Sequence, residues 1–194
     1  MPAKRKKAAA KPEWGKLYET AASQGGYFTL VQAKAAGYSA PLLHHHLSTD
    51  RIERAARGIF RLVHFPPSDN EDLIVTWLWS RQQGVFSHET ALMLHELSDA
   101  LPAVKHLTVP EAWASRRIKV PPGVVLHFRN IKPDETTWLG PIPLTTPLRT
   151  LVDSARDSVA PDLVAQARRQ AVRRGLVAVA KIDNAMRAAR AEAP

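Results

Sequence analysis

The chain has 194 residues, of which 27 are Lys or Arg and 18 are Asp or Glu, giving a formal net charge of +9 and a pI near 10.2. It has no cysteine, which excludes a disulfide scaffold, a thiolate metal site and a cysteine nucleophile. With 45% hydrophobic and 23% charged residues, its composition is that of a globular protein with one large or two small domains.

The charge is unevenly distributed. Residues 1–64 contain 11 Lys or Arg and 4 Asp or Glu, a net charge of +7, whereas residues 65–194 contain 16 and 14, a net charge of +2. A basic segment joined to a nearly neutral one is typical of a polyanion-binding module attached to a part with another task. The alternative is a basic soluble protein with a solvated tail.

The sequence gives no sign of a membrane or an export route. No apolar run approaches the roughly 18 residues of a spanning helix. The first residues are rich in Lys and Arg but lack the apolar stretch of a secretory signal. We therefore expect a cytoplasmic protein that does not contact a membrane.

Local signals in the basic part predict three short helices and a β-hairpin. Apolar residues recur at helical spacing from Trp14 onward, which predicts a first helix. Thr29 and Ser39 are suited to cap the starts of two further helices, and Gly37 is suited to end the helix that lies between those two caps. The predicted elements are helices over 14–22, 30–36 and 40–47 and strands over 51–55 and 59–63, after a disordered basic arm over 1–12.

This order of elements is the layout of a winged helix-turn-helix, whose second motif helix enters the DNA major groove. We expect DNA contacts from the third helix, the wing, the second helix and the arm, namely Ser39, Ala40, His44, His45, Ser48, Arg54, Arg57, Lys34, Lys4, Arg5, Lys6 and Lys7. The alternative is another small three-helix domain with a hairpin.

Three consecutive histidines, His44 to His46, lie in the third predicted helix. Neighbours on a helix diverge by about 100°, so three in a row cannot converge on one metal ion. We expect His44 and His45 to face DNA and His46 to lie nearer the core. The core is expected to contain Leu17, Phe28, Leu30, Val31, Leu43 and Leu47.

A hinge over Phe65–Asp69 divides the chain into a winged-helix domain over 13–65 and a second domain over 70–194. The second domain is predicted to contain helices over 71–83, 88–97, 148–154, 160–174 and 179–191, and strands over 105–109, 124–128 and 142–145. The fold class is therefore α+β: an N-terminal winged helix-turn-helix followed by a mixed α+β domain. Ser87 is expected to cap the helix that follows it.

Enzymatic motifs are sparse in the second domain. No phosphate-binding loop is present, and Pro133-Asp134-Glu135, which looks like the start of a magnesium-dependent nuclease site, lacks the downstream carboxylate-x-Lys. Asp153 is expected to pair with Arg149, four residues earlier. One alternative is a metal-dependent or nuclease-like enzyme whose ion is held by His88, His95 and His106 with Asp99 or Asp134. Another is an adaptor that binds a protein through Arg168, Arg169, Arg173 and Arg174.

Several motifs resemble the AbiEi-family antitoxins. Gly37-Tyr38-Ser39 and the stretch over 51–62 resemble that family's winged helix. In the second domain, the stretches over 87–92, 94–99, 107–110, 125–127 and 145–153 are similar to the family as well. The resemblance covers residues 14–175. The third helix departs from the pattern, with His where Arg or Lys is usual, and Thr49-Asp50 replaces a basic-glycine turn.

The resemblance implies a component of a type IV toxin–antitoxin, or abortive infection, system. Such a protein pairs with a nucleotidyltransferase toxin and represses its own operon by binding inverted repeats in double-stranded DNA. Its second domain is associated with antitoxicity and cooperative binding. We therefore expect a non-enzymatic transcriptional regulator without a cofactor or resident metal, and neither the operator sequence nor a cognate toxin follows from the residues.

Overall fold

The computed structural model describes residues 11–157 and 159–191. The chain forms two compact units, the first ending at Trp79 and the second beginning at Ser80. The predicted arm residues Lys4, Arg5, Lys6 and Lys7 lie outside the described residues. Within the described residues, no helix has the length and apolar character needed to cross a bilayer. The α+β class and the N-terminal winged helix are confirmed.

The first unit has a winged-helix arrangement of four helices and a small antiparallel sheet. In chain order its elements are α1 (Trp14–Ala22), β1 (Tyr27–Thr29), α2 (Leu30–Ala35), α3 (Ala40–Ser48), β2 (Ile52–Ala56), β3 (Ile59–Leu62) and α4 (Glu71–Trp79). The sheet order is β1-β3-β2, and β2 and β3 form the wing. The three predicted helices and the hairpin are confirmed to within one or two residues.

Side-chain caps set where α2 and α3 begin. The Thr29 hydroxyl accepts from the Gln32 backbone N–H at 3.2 Å, and the Gln32 side chain accepts from the Thr29 N–H at 2.8 Å, which makes a reciprocal capping box. Ser39 caps α3 by accepting from the Leu42 N–H at 3.4 Å, with Pro41 in the first turn. Both caps confirm the sequence prediction, because each depends only on residues close in the chain.

One apolar core joins helices α1, α2 and α3 to the sheet of the first unit. Its buried members are Leu17, Ala21, Phe28, Ala33, Ala36, Tyr38, Leu43, Ile52, Phe60 and Leu62. Leu30 and Leu47 pack against this core, as expected. Val31 does not, because its side chain is 76% exposed. The error arose because α2 turns Ala33 rather than Val31 towards the core.

Helix α4 differs from its prediction in length and in its place along the chain. It ends at Trp79 rather than at residue 83, because Arg81 and Gln82 adopt positive φ angles of 56° and 62°. It groups with the first unit rather than opening the second, and Glu71 at its start lies 3.3 Å from Arg61 of β3. The predicted boundary at residue 70 places α4 in the second domain, whereas the observed units place it in the first.

The second unit packs helices against a five-stranded mixed sheet. Its elements are β4 (Val85–Phe86), α5 (His88–Leu94), β5 (Lys105–Val109), β6 (Val124–Phe128), β7 (Thr136–Leu139), β8 (Ile142–Thr145), α6 (Pro147–Arg156), α7 (Pro161–Arg173) and α8 (Val179–Ala191). The sheet order is β6-β5-β4-β8-β7, with β5 and β6 parallel. Helices α5 to α8 share a buried apolar cluster that includes Leu92, Leu97, Leu151, Ala167, Ala171 and Ile182.

Two predictions in the second unit were wrong. Helix α5 ends at Leu94 rather than at residue 97, and Glu96 just beyond it has a φ of 54°. Ser87 makes no side-chain cap bond to this helix, because its hydroxyl is engaged by His88 and Thr108.

Strand β7 was not predicted from the sequence. It lies at the sheet edge, where exposed residues such as Trp138 obscure the alternation of a half-buried strand.

Two glycines with positive φ allow backbone strain to be separated from crowding. At Gly26 (φ 90°) an added Cβ would lie 2.7 Å from the Phe65 ring, whereas at Gly58 (φ 75°) it would meet nothing within 4 Å. We expect Gly58→Ala to lower the free energy of unfolding by about 1–2 kcal/mol, the cost of left-handed backbone. Gly26→Ala should lose about 1–3 kcal/mol more through overpacking. Urea unfolding followed by circular dichroism measures both, and equal losses would contradict the crowding at Phe65.

Candidate nucleic-acid interface

Helix α3 presents one continuous exposed face. Ala40, His44 and Ser48, which are four residues apart, are all exposed, and His45 lies beside them. The N-cap residue Ser39 is exposed as well. Residues spaced by four lie above one another on a helix. The structure therefore brings together on one helical face the five residues that were predicted from this helix.

His46 is the one member of the histidine triplet that is buried, as expected. Its side chain is 8% exposed and packs against the rings of Trp14 and Tyr38, each at 5.6 Å between centroids. Burial lowers the pKa of His46, and the nearby Arg51 and His45 lower it further. A neutral, packed imidazole at this position anchors α3 and turns His45 outward.

The wing carries exposed arginines around a glycine turn. Gly58, with positive φ, joins β2 to β3, and the pairing of these strands shifts register between Arg54 and Ala56. Arg57 is exposed, and the Arg54 guanidinium lies 5.8 Å from the Phe60 ring centroid. The guanidinium of Arg54 therefore lies within cation–π range of the Phe60 ring, although the residue as a whole is exposed.

Lys34 and Arg51 add positive charge on either side of α3. Lys34 lies exposed in the last turn of α2. Arg51, which was not among the predicted contacts, is exposed at the start of the wing and its backbone N–H donates to the His46 carbonyl at 3.1 Å. The sequence signal that could have identified Arg51 is its position directly after the turn Thr49-Asp50. All eight predicted contacts among the described residues are exposed, and their role in binding DNA stays a prediction.

The second unit contains a partly buried network centred on Asp157. Arg129 donates two hydrogen bonds of 2.7 Å to this carboxylate, and the Nε2 of His88 lies 2.9 Å from it. Burial by itself would raise the pKa of Asp157, but the bonds from Arg129 and His88 lower it to about 2. Asp157 therefore stays ionised throughout the physiological pH range.

His88 and His127 lie next to this carboxylate, and His106 lies beside His127. The rings of His88 and His127 stack with centroids 3.6 Å apart, and His106 Nδ1 lies 3.0 Å from His127 Nε2. Burial lowers the pKa of His88 and of His127 to about 4, so both rings are neutral near pH 7. Among the described residues, His88, His106 and His127 form a group with the geometry to hold a metal ion, each offering a nitrogen within 4.8 Å of the others.

This group corrects the predicted ion ligands. His88 and His106 do come together, but His95 does not join them, because α5 ends before it and its Nε2 is bonded to the Thr145 carbonyl at 2.7 Å. Asp99 pairs instead with Gln166, and Asp134 is exposed on a 3-10 turn. His127 was missed. The signal that could have found it is the histidine on each of two predicted strands, whose adjacency the sequence does not reveal.

The predicted pair of Arg149 and Asp153 is present, but Asp153 is buried. The Arg149 Nε donates to Asp153 at 2.8 Å, and a second Arg149 nitrogen donates to Glu135 at 2.7 Å. The Asp153 side chain is 1% exposed, and this burial raises its pKa. Breaking a buried pair leaves an uncompensated charge, so Asp153 fixes the position of Arg149 within α6. The bond from Arg149 to Glu135 then joins α6 to the turn just before β7.

The basic residues of α7 are partly occupied within the second unit. Arg168 lies 2.6 Å from Asp183 of α8, and Arg174 donates to the His95 carbonyl at 2.6 Å. Arg169 and Arg173 are exposed. Two of the four arginines considered for an adaptor surface therefore contribute to folding contacts, which weakens the adaptor hypothesis.

A comparison with known protein families supports the winged-helix interpretation of the first unit. Residues 16–63 match the model of a family described as "Transcriptional regulator, AbiEi antitoxin". This confirms the resemblance for the winged-helix segment, which is similar to a transcriptional-regulator domain of AbiEi antitoxins. The fold is similar to the crystal structure of the Rv2827c protein from Mycobacterium tuberculosis, with a TM-score of 0.53 and 14% identity over 93% of this chain and 71% of that one. No curated protein matches the chain significantly.

The neutral histidines make the second unit sensitive to acid. Unfolded His88 titrates at 6.5, whereas the folded pKa is about 4, so the unfolded state takes up protons first as the pH falls. Stability is full above pH 6.5 and is lost down to pH 4, by on the order of 3 kcal/mol for His88 alone. Asp157, lowered from 3.8 to about 2, adds to the loss only below its unfolded value.

Urea unfolding in the presence of a chelator, repeated across this pH range, measures the effect. Other acidic groups also titrate, so the readout is the difference between the wild-type chain and His127→Gln, which removes one of the two depressed imidazoles. The variant should show a shallower fall of unfolding free energy with acidification. Parallel curves for the two proteins would contradict the assigned pKa of His127.

Proposed function

We propose that this chain, whose residues 16–63 form an AbiEi-type regulator domain, represses its own operon as the antitoxin of a type IV toxin–antitoxin system and counteracts a nucleotidyltransferase toxin. The observation that carries the proposal is the exposed face of α3 beside an arginine-bearing wing, within a segment that matches an antitoxin transcriptional regulator. Under this proposal the second unit serves antitoxicity and cooperative assembly on inverted repeats. We propose no catalytic step.

The dimensions of α3 suit a major groove. An α-helix with its side chains is about 10–12 Å across, which fits the B-DNA major groove of about 12 Å, and the nine residues of α3 extend about 13 Å. Ser39 and Ala40 lie at the N-terminal end of α3, the part of a recognition helix that approaches base edges. His44 and Ser48 continue the same face, so they would contact base edges or phosphates further along the groove.

The wing and the flanking basic residues would supply phosphate contacts. Arg54, Arg57 and Lys34 are exposed, and the arm residues Lys4, Arg5, Lys6 and Lys7 would extend the basic surface along the backbone. Phosphate contacts position a protein on DNA without reading its sequence. His44 and His45 lack the forked guanidinium that reads guanine, so base readout through α3 depends on single imidazole hydrogen bonds.

Substitution of Arg57 tests the phosphate role of the wing. Arg57→Ala should weaken binding to the DNA upstream of the chain's own reading frame and to a scrambled fragment alike. It should also reduce the slope of log affinity against log salt by about 1, because one fewer counterion is released. Fluorescence anisotropy over a salt series measures both quantities. Arg117→Ala, which removes the same charge from an exposed position of the second unit, is the matched control.

An unchanged salt slope in Arg57→Ala, or an equal change in Arg117→Ala, would remove the wing tip from the interface.

Substitution of His44 tests whether helix α3 reads the DNA sequence. His44→Asn should alter the preferred sequence in a site-selection experiment. His64→Asn, at an exposed histidine outside α3, should leave that preference unchanged.

Repression and antitoxicity are expected to be separable, because the first would reside in the winged helix and the second in the other unit. With a nucleotidyltransferase from a neighbouring reading frame as the toxin, the wild-type chain should restore growth and repress a promoter reporter. Arg57→Ala at equal protein level should restore growth but lose most of the repression. Failure of the wild-type chain to restore growth would reject the toxin pairing, and loss of both functions in the variant would reject the division of labour.

A further inference from the structure

The pairing of strands β5 and β6 places the imidazoles of His106 and His127 next to each other. The strands are parallel and adjacent, with Thr108 opposite His127. Because side chains alternate along a strand, His106 points to the same face as Thr108 and therefore lies beside His127. The result is the 3.0 Å contact between His106 Nδ1 and His127 Nε2.

The outer nitrogens of this pair face carboxylates. His127 Nδ1 lies 3.4 Å from the Asp157 carboxylate, and His106 Nε2 lies 3.3 Å from the Glu89 carboxylate. His106 Nε2 is buried and has no partner with hydrogen-bond geometry. Each of these two nitrogens is best suited to carry a proton, since an N–H is attracted to a carboxylate and a lone pair is repelled by it.

Two neutral imidazoles do not have enough protons for this arrangement. One proton is needed opposite Asp157, one opposite Glu89 and one between the two rings, but two neutral rings carry two protons in total. If both carboxylates receive an N–H, the two inner nitrogens meet with lone pairs 3.0 Å apart. A cation between them removes this conflict.

We propose that His106 and His127, together with His88, bind one divalent transition-metal ion with the ligand preference of Zn²⁺. Nitrogens that share a zinc ion at about 2.0–2.1 Å lie at most about 4.2 Å apart. In the tetrahedral arrangement that zinc prefers, this separation is about 3.4 Å. The nitrogens of the three rings lie within 4.8 Å of one another, so the rings must rotate to close the remaining distance. His88, which stacks on His127, gives up its bond to Ser87 or to Asp157 when it joins the ion. Imidazole donors favour zinc, cobalt, nickel and copper over magnesium or calcium.

The surrounding carboxylates complete the arrangement found around metal-bound histidines. Such a histidine usually donates its second ring N–H to a carboxylate, which fixes its tautomer and orientation. Glu89 occupies this position for His106, and Asp157 occupies it for His127 while Arg129 holds Asp157 in place. The ion would tie α5, β5 and β6 together, and it is independent of the DNA contacts proposed for the first unit.

Cobalt titration of untagged, chelator-treated full-length protein tests the site, because Co²⁺ takes zinc positions and its visible absorption reports the ligand geometry. We expect one Co²⁺ per chain, displaced by Zn²⁺, and a zinc-dependent rise in melting temperature. His106→Gln and His127→Gln should each weaken binding at least 10-fold. The controls are His95→Gln, a histidine of the same unit outside the group, and the double variant His44→Gln/His45→Gln, which removes the exposed pair on α3.

A ligand variant could lose metal binding simply because it fails to fold. The variant Glu89→Gln is a second test that keeps all three imidazoles. Loss of an outer carboxylate typically weakens a metal site about 10–100-fold, and we expect a loss in that range. Circular dichroism without metal confirms folding of each variant. Absence of stoichiometric cobalt binding overturns the proposal. So does unchanged affinity in the folded variants at positions 89, 106 and 127, or a loss of binding in the α3 double variant alone.

Discussion

Burial of one side of helix α3 is the constraint on which the proposed DNA surface depends. Leu43 and His46 are turned into the core of the first unit, so the opposite side of the helix is fixed in solvent. Helical periodicity then decides the rest: with those two residues inside, Ala40, His44 and Ser48 must share the outer face. The packing of His46 between Trp14 and Tyr38 thus determines which histidines a DNA groove could meet.

The second unit is organised by a different kind of interaction, the pairing of buried polar groups. Asp157 is held by Arg129 and His88, and Asp153 by Arg149, close to the same helix end. An unpaired charge in these places would be costly, so each group constrains the elements that supply its partner. Burial also keeps His88 and His127 neutral near pH 7, which leaves their ring nitrogens available as donors or acceptors.

Local signals accounted for much of the fold. The caps at Thr29 and Ser39 and the strands β5, β6 and β8 were predictable, because each depends on neighbours in the chain or on a clear run of β-branched residues. The misplaced ends of α4 and α5 share one cause. Residues such as Arg81 and Glu96 adopt positive φ angles without being glycine, and their side chains give no warning of that conformation.

The residues in chain order were enough to predict a basic N-terminal segment, the order of elements of a winged helix, and which side chains of α3 and the wing are exposed. Contacts between residues distant in the chain could not be predicted in this way. His106 and His127 are 21 residues apart and become neighbours because β5 and β6 pair in parallel, a choice made by the packing of the whole sheet. Strand pairing depends on contacts between segments distant in the chain, and local patterns do not encode it.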